Sequence, residues 1–456
     1  NKERSEQLVD QIQALSGTVP ENCFNGFSPE VLTTWEKAGV KPEGVSRDLF
    51  KASQKLDGGM HTPQSSLLWV LKCSLLGCLA DKLGSELKQA VFGPAQAAAV
   101  EVNLGVLQKE QPNIVIHGSI SPALTKQILE SAAKERVAVC GVCTDPVIGT
   151  QVIPQASNQG SQEIPLLTGA VDLIVAGDQG VNPSLQEIAR KWQVPVVSSE
   201  TLVQSDPVSA GAKIVADAKR SFETRIGFTR NIPEEKKSAR MGFTAETLDT
   251  GKISTALENK SIKGVVLLAG GSNVKYSQDK ELLAMVEEFL KQDILVLSQG
   301  QASVALAKYG FLTPGAGSDL GSGLKTLVGE LGAETPAVID LSSYGVTQFL
   351  TDLEKSAGKA LKELPLRACF CEANGTREAV MALWLVTMGV CTYFWPFLPV
   401  TGSQKAVDFL DTYCADTFGA RLHVISRRID APAKAKSISK DLSDGKPLSM
   451  SGKDWR

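Results

Sequence analysis

The stretch 263–310 restricts the fold more than any other part of the sequence, because it repeats a strand–loop–helix pattern. Two short apolar runs, 265–269 and 294–297, each lead into a glycine-containing loop: Gly270-Gly271-Ser272-Asn273 and Gln299-Gly300-Gln301. Between them, residues 281–291 carry apolar side chains at helical spacing. Parallel sheets present their working loops at the carboxyl ends of such strands. The pattern therefore predicts an α/β domain that holds a ligand at these two loops.

The rest of the chain extends this pattern to an α/β fold class. Residues 1–100 have helical spacing throughout, which predicts a helical domain. Strand and helix patterns then alternate, which predicts two Rossmann-like parallel-sheet domains at 101–245 and 246–431, joined through a polar linker at 221–255. Residues 432–456 are rich in Lys, Ser and Asp and are expected to form a polar, poorly ordered C-terminal tail. Strands are predicted at 113–117, 137–140, 171–176, 194–198, 264–269, 294–298, 337–341 and 366–371.

Composition excludes some classes of partner. The net charge is -3 with both signs interspersed, which argues against nucleic acid. The apolar run 380–400 contains two threonines and two prolines and is expected to be a buried helix leading into a strand, not a membrane span. No signal peptide is recognisable, so the nine cysteines are expected to be reduced in a cytoplasmic protein. The first residue is not Met, which leaves open a natural chain that starts further upstream.

Four cysteines are the candidate metal ligands. Cys140 and Cys143 form a C-x-x-C at a strand end, and Cys369 and Cys371 alternate along another strand. Together they could form a four-thiolate site if the two α/β domains face each other there. Structural packing is the alternative for each pair.

Other candidates are weaker. His117 ends a strand, where it is either functional or a hydrogen-bonded packing residue. The loops 177–180 and 270–271 could bind an anion, although neither has a nucleotide-binding glycine pattern. Cys73 and Cys78 are five residues apart in a helix and are expected to pack in the core. No catalytic residue can be identified from spacing alone.

Several segments follow one another along the chain: AVEVNLGVL with NIVIHG (98–118), SQEIPLLTGAVDLIV (161–175), VVLLAGGSNVK (265–275), and DILVLSQGQASVALAKYG (293–310). In this order they resemble the anaerobic nickel–iron–sulfur carbon monoxide dehydrogenases and their hybrid-cluster relatives. The resemblance implies a helical domain followed by two Rossmann-like domains. It also implies oxidoreductase chemistry at a cluster held mainly by cysteines.

The sequence departs from that family at the implied ligand positions. Gly180, Gly271 and Tyr344 stand where the resemblance places cysteines, and Gln301 replaces a fourth. Iron–sulfur clusters need several converging thiolates. We therefore expect a carbon monoxide dehydrogenase-like chain that has lost the nickel–iron–sulfur site and binds no cofactor.

Such a chain is expected to act as a structural or regulatory subunit of a larger anaerobic redox complex. Its partner would be a protein: a second copy, an active paralogue or another subunit of that complex. The alternative is an active metalloenzyme of the carbon monoxide dehydrogenase type. It would use an altered site, with iron–sulfur or another metal bound by Cys140, Cys143, Cys369 and Cys371.

Overall fold

The computed structural model describes residues 2–58, 62–177, 181–202, 206–271, 273, 275–316, 319–399 and 402–444. The chain begins with four helices: α1 (Lys2–Ala14), α2 (Pro29–Lys37), α3 (Val45–Asp57) and α4 (Pro63–Phe92). The helical domain predicted at 1–100 is therefore present, and α4 runs unbroken from Pro63 to Phe92. None of the helices in the described ranges is long and apolar enough to cross a membrane.

Helix α4 is the centre of this helical layer. Thr62 caps its start by accepting a hydrogen bond from the Ser65 amide at 3.1 Å. Its interior includes Gly77, where a Cβ atom would lie 2.8 Å from Val380 of the later helix α14 (Thr376–Thr387). Glycine therefore lets the two helices approach closely. Helix α2 also contacts α14, because the Trp35 indole donates to the Thr387 carbonyl at 2.9 Å.

The first sheet has seven strands in the order β8-β7-β2-β3-β6-β1-β9. All its pairings are parallel except that of β9, which runs antiparallel along β1. Residues 237–241, which lie within the predicted linker, therefore form a strand of this sheet. Along this strand the side chains of Ala239 and Met241 are buried, and the other three are partly or largely exposed. The strands are β1 (Ala98–Val102), β2 (Asn113–His117), β3 (Ala138–Val142), β6 (Gln155–Ser157), β7 (Leu173–Ala176), β8 (Val196–Ser198) and β9 (Lys237–Met241).

Helices α5 to α8 connect these strands. They are α5 (Pro122–Glu135), α6 (Ile164–Leu167), α7 (Ser184–Lys191) and α8 (Pro207–Thr224). The short strands β4 (Val147–Ile148) and β5 (Gln151–Val152) form a separate antiparallel pair. Asp206 caps α8 by accepting from the Ser209 amide at 2.9 Å.

The second sheet is entirely parallel, with strand order β12-β11-β10-β13-β14-β15. All four strands predicted here from the sequence are confirmed. The strands are β10 (Gly264–Gly270), β11 (Ile294–Ser298), β12 (Val338–Asp340), β13 (Leu366–Cys371), β14 (Cys391–Phe394) and β15 (Leu422–Val424). The other helices are α9 (Thr250–Glu258), α10 (Lys280–Lys291), α11 (Gln301–Lys308), α12 (Ser322–Leu331), α13 (Val346–Ala357), α15 (Gln404–Phe418) and α16 (Ala431–Asp444).

Each sheet has a point at which the strand order reverses. In the first sheet the chain goes from β2 to β3 on one side and later returns to β7 on the other. In the second sheet it goes from β10 to β11 and later returns to β13. Open α/β sheets bind ligands in the crevice at the carboxyl ends of the strands that flank such a point. The two switch points therefore lie at β2/β7 and β10/β13.

The expected polar tail is wrong for residues 432–444, which form most of helix α16. Ala431, Ala435, Ile438 and Leu442 are buried at helical spacing, which the Lys- and Ser-rich composition concealed. Asp441 is buried as well, and it accepts from Arg367 at 2.6 Å and from the Tyr393 hydroxyl at 2.7 Å. Residues 445–456 lie outside the described part of the chain.

The apolar core does not follow the order of the chain. One continuous cluster contains residues of the N-terminal helices together with those of the second sheet, among them Leu75 and Leu267. The two faces of the first sheet pack in two separate clusters. The helical layer and the second sheet therefore share a core.

A buried charge cluster joins the end of α8 to the first sheet. Asp172 is fully buried and accepts from Arg225 at 2.9 Å and from Arg230 at 2.8 Å. Arg225 also donates to the backbone carbonyls of Val171, Gly169 and Trp192. Removing one partner of a buried ion pair leaves an uncompensated charge in a medium of low polarity.

We predict that Asp172→Asn lowers the free energy of unfolding by about 3–5 kcal/mol, because two buried guanidinium groups lose their counter-charge. Urea unfolding followed by circular dichroism measures this change. Asp217→Asn is the matched control: Asp217 pairs with exposed Lys213 and Arg220, so the same substitution should cost no more than about 0.5 kcal/mol there. Equal effects of the two variants would contradict the prediction.

Candidate functional site

The carboxyl end of β10 is built from two glycines in left-handed conformations. Gly270 has φ 89°, and a Cβ atom there would lie 2.4 Å from the Cys371 carbonyl oxygen. Gly271 has φ 101° and donates its N–H to that same carbonyl at 2.6 Å. A Cβ at Gly271 would meet no atom within 4 Å. Gly270 therefore packs β10 closely against β13, whereas Gly271 borders open space.

Gln301, at the start of α11, connects the second sheet to the first. Its side-chain oxygen accepts from the Gln159 amide at 2.7 Å and its amide nitrogen donates to the Gln159 side chain at 2.8 Å. The Cys143 thiol also donates to the Gln301 oxygen, at 3.5 Å. The side chain at this implied ligand position is therefore held by three contacts across the junction between the sheets.

Further polar contacts continue this junction. Asn158 donates to Asp279 at 3.1 Å, and the Lys308 ammonium lies 3.7 Å from the same carboxylate. Lys308 also reaches the Ser161 hydroxyl at 3.4 Å. Asn158 and Ser161 follow the carboxyl end of β6, while Asp279 and Lys308 follow those of β10 and β11. The carboxyl edges of the two sheets therefore face each other.

Tyr344 is buried beyond the end of β12. Its hydroxyl donates to Asp352 at 3.0 Å, and its ring meets Phe349 edge-on at 5.6 Å between centroids. Burial raises the pKa of the hydroxyl well above its ordinary value. The side chain therefore packs as a neutral phenol. Gly180, the third predicted position of a lost ligand, lies outside the described residues, as do Asp178 and Gln179.

Cys140 and Cys143 lie in and just after β3. Cys140 belongs to one apolar cluster of the first sheet, and Cys143 packs against the same cluster. Burial raises the pKa of each thiol to about 12, so both are protonated at neutral pH.

Cys369 and Cys371 lie in β13 and belong to the core shared by the second sheet and the helices. Burial raises the pKa of both thiols, and Glu281 and Glu372 raise that of Cys371 further. No group of three or more His, Cys, Asp or Glu side chains within the described ranges is arranged to hold a metal ion. The four-cysteine site remains a prediction from the sequence.

His117 ends β2 at the switch point of the first sheet. The side chain is buried, and among the described residues neither ring nitrogen has a hydrogen-bond partner. The nearby Gln162 side chain is engaged with the Gln159 carbonyl and the Asn182 amide. Burial lowers the pKa of His117 to about 4. The imidazole is therefore neutral at physiological pH.

Two buried charged residues near the switch point of the second sheet were missed by sequence reasoning. Glu372 directly follows β13 with φ 48°, and Lys434 on α16 is ion-paired with Glu281. A polar residue immediately after a buried strand was a usable signal for Glu372. The burial of Lys434 had no such signal, because the Lys- and Ser-rich composition of its segment predicts a polar tail.

The fold, with the carboxyl edges of its two sheets in contact, defines an α/β protein with a helical N-terminal layer. Over residues 5–426 the chain matches the Prismane/CO dehydrogenase family, and it belongs to this family. It is 27% identical to carbon monoxide dehydrogenase 2 of Carboxydothermus hydrogenoformans, over 84% of this chain and 67% of that protein. It is 26% identical to carbon monoxide dehydrogenase 1 of Methanosarcina mazei, over 92% of this chain and 72% of the relative.

Solved structures give the same result. Carbon monoxide dehydrogenase IV from Carboxydothermus hydrogenoformans superimposes with a TM-score of 0.88 at 26% sequence identity. The match covers 96% of this chain and 77% of that structure. The α/β fold class with a helical N-terminal region and parallel sheets, predicted from the sequence, is therefore confirmed.

We predict that Gln301→Ala lowers the free energy of unfolding by about 1–3 kcal/mol, because it removes the contacts to Gln159 and Cys143 and leaves their polar atoms without partners. Thermal unfolding monitored by calorimetry measures the change. Gln404→Ala is the control, since exposed Gln404 has one side-chain contact, to Asp408, and should change stability by no more than about 0.5 kcal/mol. If both variants unfold like the parent protein, Gln301 does not hold the junction.

Proposed function

We propose that this chain is a carbon monoxide dehydrogenase-family subunit without the nickel–iron–sulfur active site, acting as a structural or regulatory component of a larger redox complex. The observation that carries the proposal is the state of the side chains at the implied ligand positions. Gln301 is hydrogen-bonded to Gln159, Tyr344 is hydrogen-bonded to Asp352, and Gly271 has no side-chain atom that could bind a metal.

The donor set supports this proposal in a second way. A nickel–iron–sulfur cluster requires several thiolates that converge on one point. The described residues contain no group of three or more His, Cys, Asp or Glu side chains arranged to hold a metal ion, and Cys140 and Cys369 belong to separate apolar clusters. These residues do not fit the cluster that the resemblance implies.

The partner proposed for this subunit is a protein. Both sheets and the helical layer of the family fold are present, over 96% of the chain. A chain that keeps the fold of a redox enzyme without its ligands retains the surfaces by which such an enzyme could be assembled. A second copy, an active paralogue and another subunit of a redox complex are the three candidates. Copurification from the native host under anaerobic conditions would identify the bound chain.

Metal analysis tests the proposed absence of the cluster. Protein purified anaerobically is expected to contain no stoichiometric nickel, iron or acid-labile sulfide, and to show no carbon monoxide-dependent reduction of a dye acceptor. Several irons with nickel in each chain, or carbon monoxide oxidation, would sink the proposal.

Cysteine substitutions test the alternative, in which the chain is an active metalloenzyme. If iron or another metal is bound, Cys140→Ser with Cys143→Ser and, separately, Cys369→Ser with Cys371→Ser should each remove it if the four cysteines are the ligands. Cys73→Ser is the matched control, because Cys73 lies in helix α4, whereas the four candidate ligands lie in or next to strands β3 and β13. Metal that survives both double substitutions would exclude this four-cysteine site.

A further inference from the structure

A cavity of about 380 Å³ lies between the start of helix α2, in the helical layer, and the end of helix α13, which follows the second sheet's strand β12. Two contacts join its walls. The Ser28 hydroxyl donates to Glu354 at 3.1 Å, and the Lys362 ammonium donates to Glu30 at 2.5 Å. The cavity is therefore formed by two parts of the chain that only the fold brings together.

Glu354 is the buried charge on the α13 side of the cavity. Its side chain is 8% exposed and accepts hydrogen bonds from the Ser28 hydroxyl and the Leu361 amide. The one charged group that acts on it among the described residues is Glu30, which repels a negative charge. Burial raises the pKa of Glu354, and the two hydrogen bonds oppose this shift. The carboxylate is therefore buried without a counter-ion, which is costly in a medium of low polarity.

The lysines around the cavity do not supply this counter-ion. Each of them is engaged with another carboxylate: Lys362 with Glu30, Lys359 with Glu258 on α9, and Lys355 with Asp352. The arrangement therefore leaves Glu354 as the one carboxylate of the cavity wall that no cation of the described chain neutralises.

The end of α13 adds further acceptors on the same side. The helix ends at Ala357, and Gly358 follows it in the left-handed conformation with φ 59°. Within the described ranges, no backbone amide after Ala357 donates to the carbonyls of the last turn. Unpaired carbonyls carry partial negative charge at a helix C-terminus and attract cations. This side of the cavity therefore favours a positively charged hydrogen-bond donor.

We propose that the cavity binds an alkylammonium group, with Glu354 as its counter-ion and the Ser28 hydroxyl and the last carbonyls of α13 as further acceptors. An ammonium group has three donors and no acceptor, which matches such a wall. Its alkyl stem would lie against Pro29 and Ala360, which also line the cavity. A bare metal ion would leave most of the volume unfilled, and the described residues hold no group of three acidic, His or Cys side chains arranged for one.

Two sources can present an alkylammonium group at this cavity: a free amine, and a lysine side chain of a partner protein. The second source rests on the proposed function, in which the partner is a protein. The first source is independent of that function. Separate probes, a simple amine and a lysine peptide blocked at both ends, distinguish them.

Calorimetric titration of the full chain with n-pentylammonium at pH 8 tests the site. Saturable binding is expected, and Glu354→Gln, which keeps the shape of the side chain, should weaken it roughly 10- to 100-fold by removing a charge-assisted hydrogen bond. Glu287→Gln removes the same charge from the exposed side of α10 and should leave the affinity unchanged. Pentanoate, with a similar stem and the opposite charge, should not bind. Equal affinity of the parent protein and Glu354→Gln, or binding of pentanoate as tight as that of the amine, overturns the proposal.

A second variant keeps the test decisive if Glu354→Gln folds poorly. Ala360→Leu fills the cavity and leaves the carboxylate in place, so it should weaken amine binding by at least about tenfold; unchanged binding in this variant also overturns the proposal.

The lysine peptide acetyl-Gly-Lys-Gly-amide identifies the source. Tighter binding of the peptide than of n-pentylammonium assigns the site to a partner's lysine, and tighter binding of n-pentylammonium assigns it to a free amine. Absence of saturable binding by both probes overturns the proposal. That result would leave the proposed function intact, because metal analysis and copurification test it separately.

Discussion

The rest of the structure depends on one constraint: parallel pairing puts the carboxyl ends of every strand except antiparallel β9 on one edge of its sheet, and the two sheets turn these edges toward each other. The loops after β3 and β6 meet the loops after β10 and β11, so every polar backbone or side-chain group there must find a partner within the junction. Gln301 and Gln159 satisfy this requirement by a reciprocal amide pair. One oxygen of Asp279 accepts a hydrogen bond from Asn158, and the other lies 3.7 Å from the Lys308 ammonium.

The contact between the two sheet edges determines what the proposed loss of the cluster would change in the structure. A metal cluster at the junction would link loops from both sheets by covalent metal–ligand bonds, and its removal would leave the edges connected by the polypeptide alone. In the proposed subunit, hydrogen bonds such as that between Gln301 and Gln159 connect the edges instead. Each is weaker than a metal bond, but together they satisfy the buried polar groups that would otherwise disfavour the closed arrangement. The junction would then be a scaffold element.

The sequence predicted the sheets well because buried parallel strands are short, continuous apolar runs, as in β10 and β11, and because glycine marks their ends. It failed where a residue's environment comes from distant elements. From its sequence context, Lys434 is predicted to be a solvated lysine in a charged tail. In the structure it is buried, where it pairs with Glu281 and lies against the Trp395 ring. Strand β9 was read as linker because its edge position leaves Lys237 and Ser238 partly or fully exposed. The contact between Gln301 and Gln159 could not be predicted from the sequence. The two residues are 142 positions apart, and only the fold brings them together.

The contact of Gly77 with Val380, together with the shared core of the N-terminal helices and the second sheet, has a consequence for synthesis of the chain. The helices at 2–92 bury their apolar faces against strands of the second sheet, which are synthesised later, with the whole first sheet in between. The helical layer must therefore remain incompletely packed while more than 150 residues are added. The central strands of the first sheet have two core clusters of their own and can fold during that interval, whereas β1 and β9 add residues such as Val100 and Met241 to the shared core. Nascent chains of this protein should accordingly present exposed α4 surface to chaperones until β10 and β13 emerge.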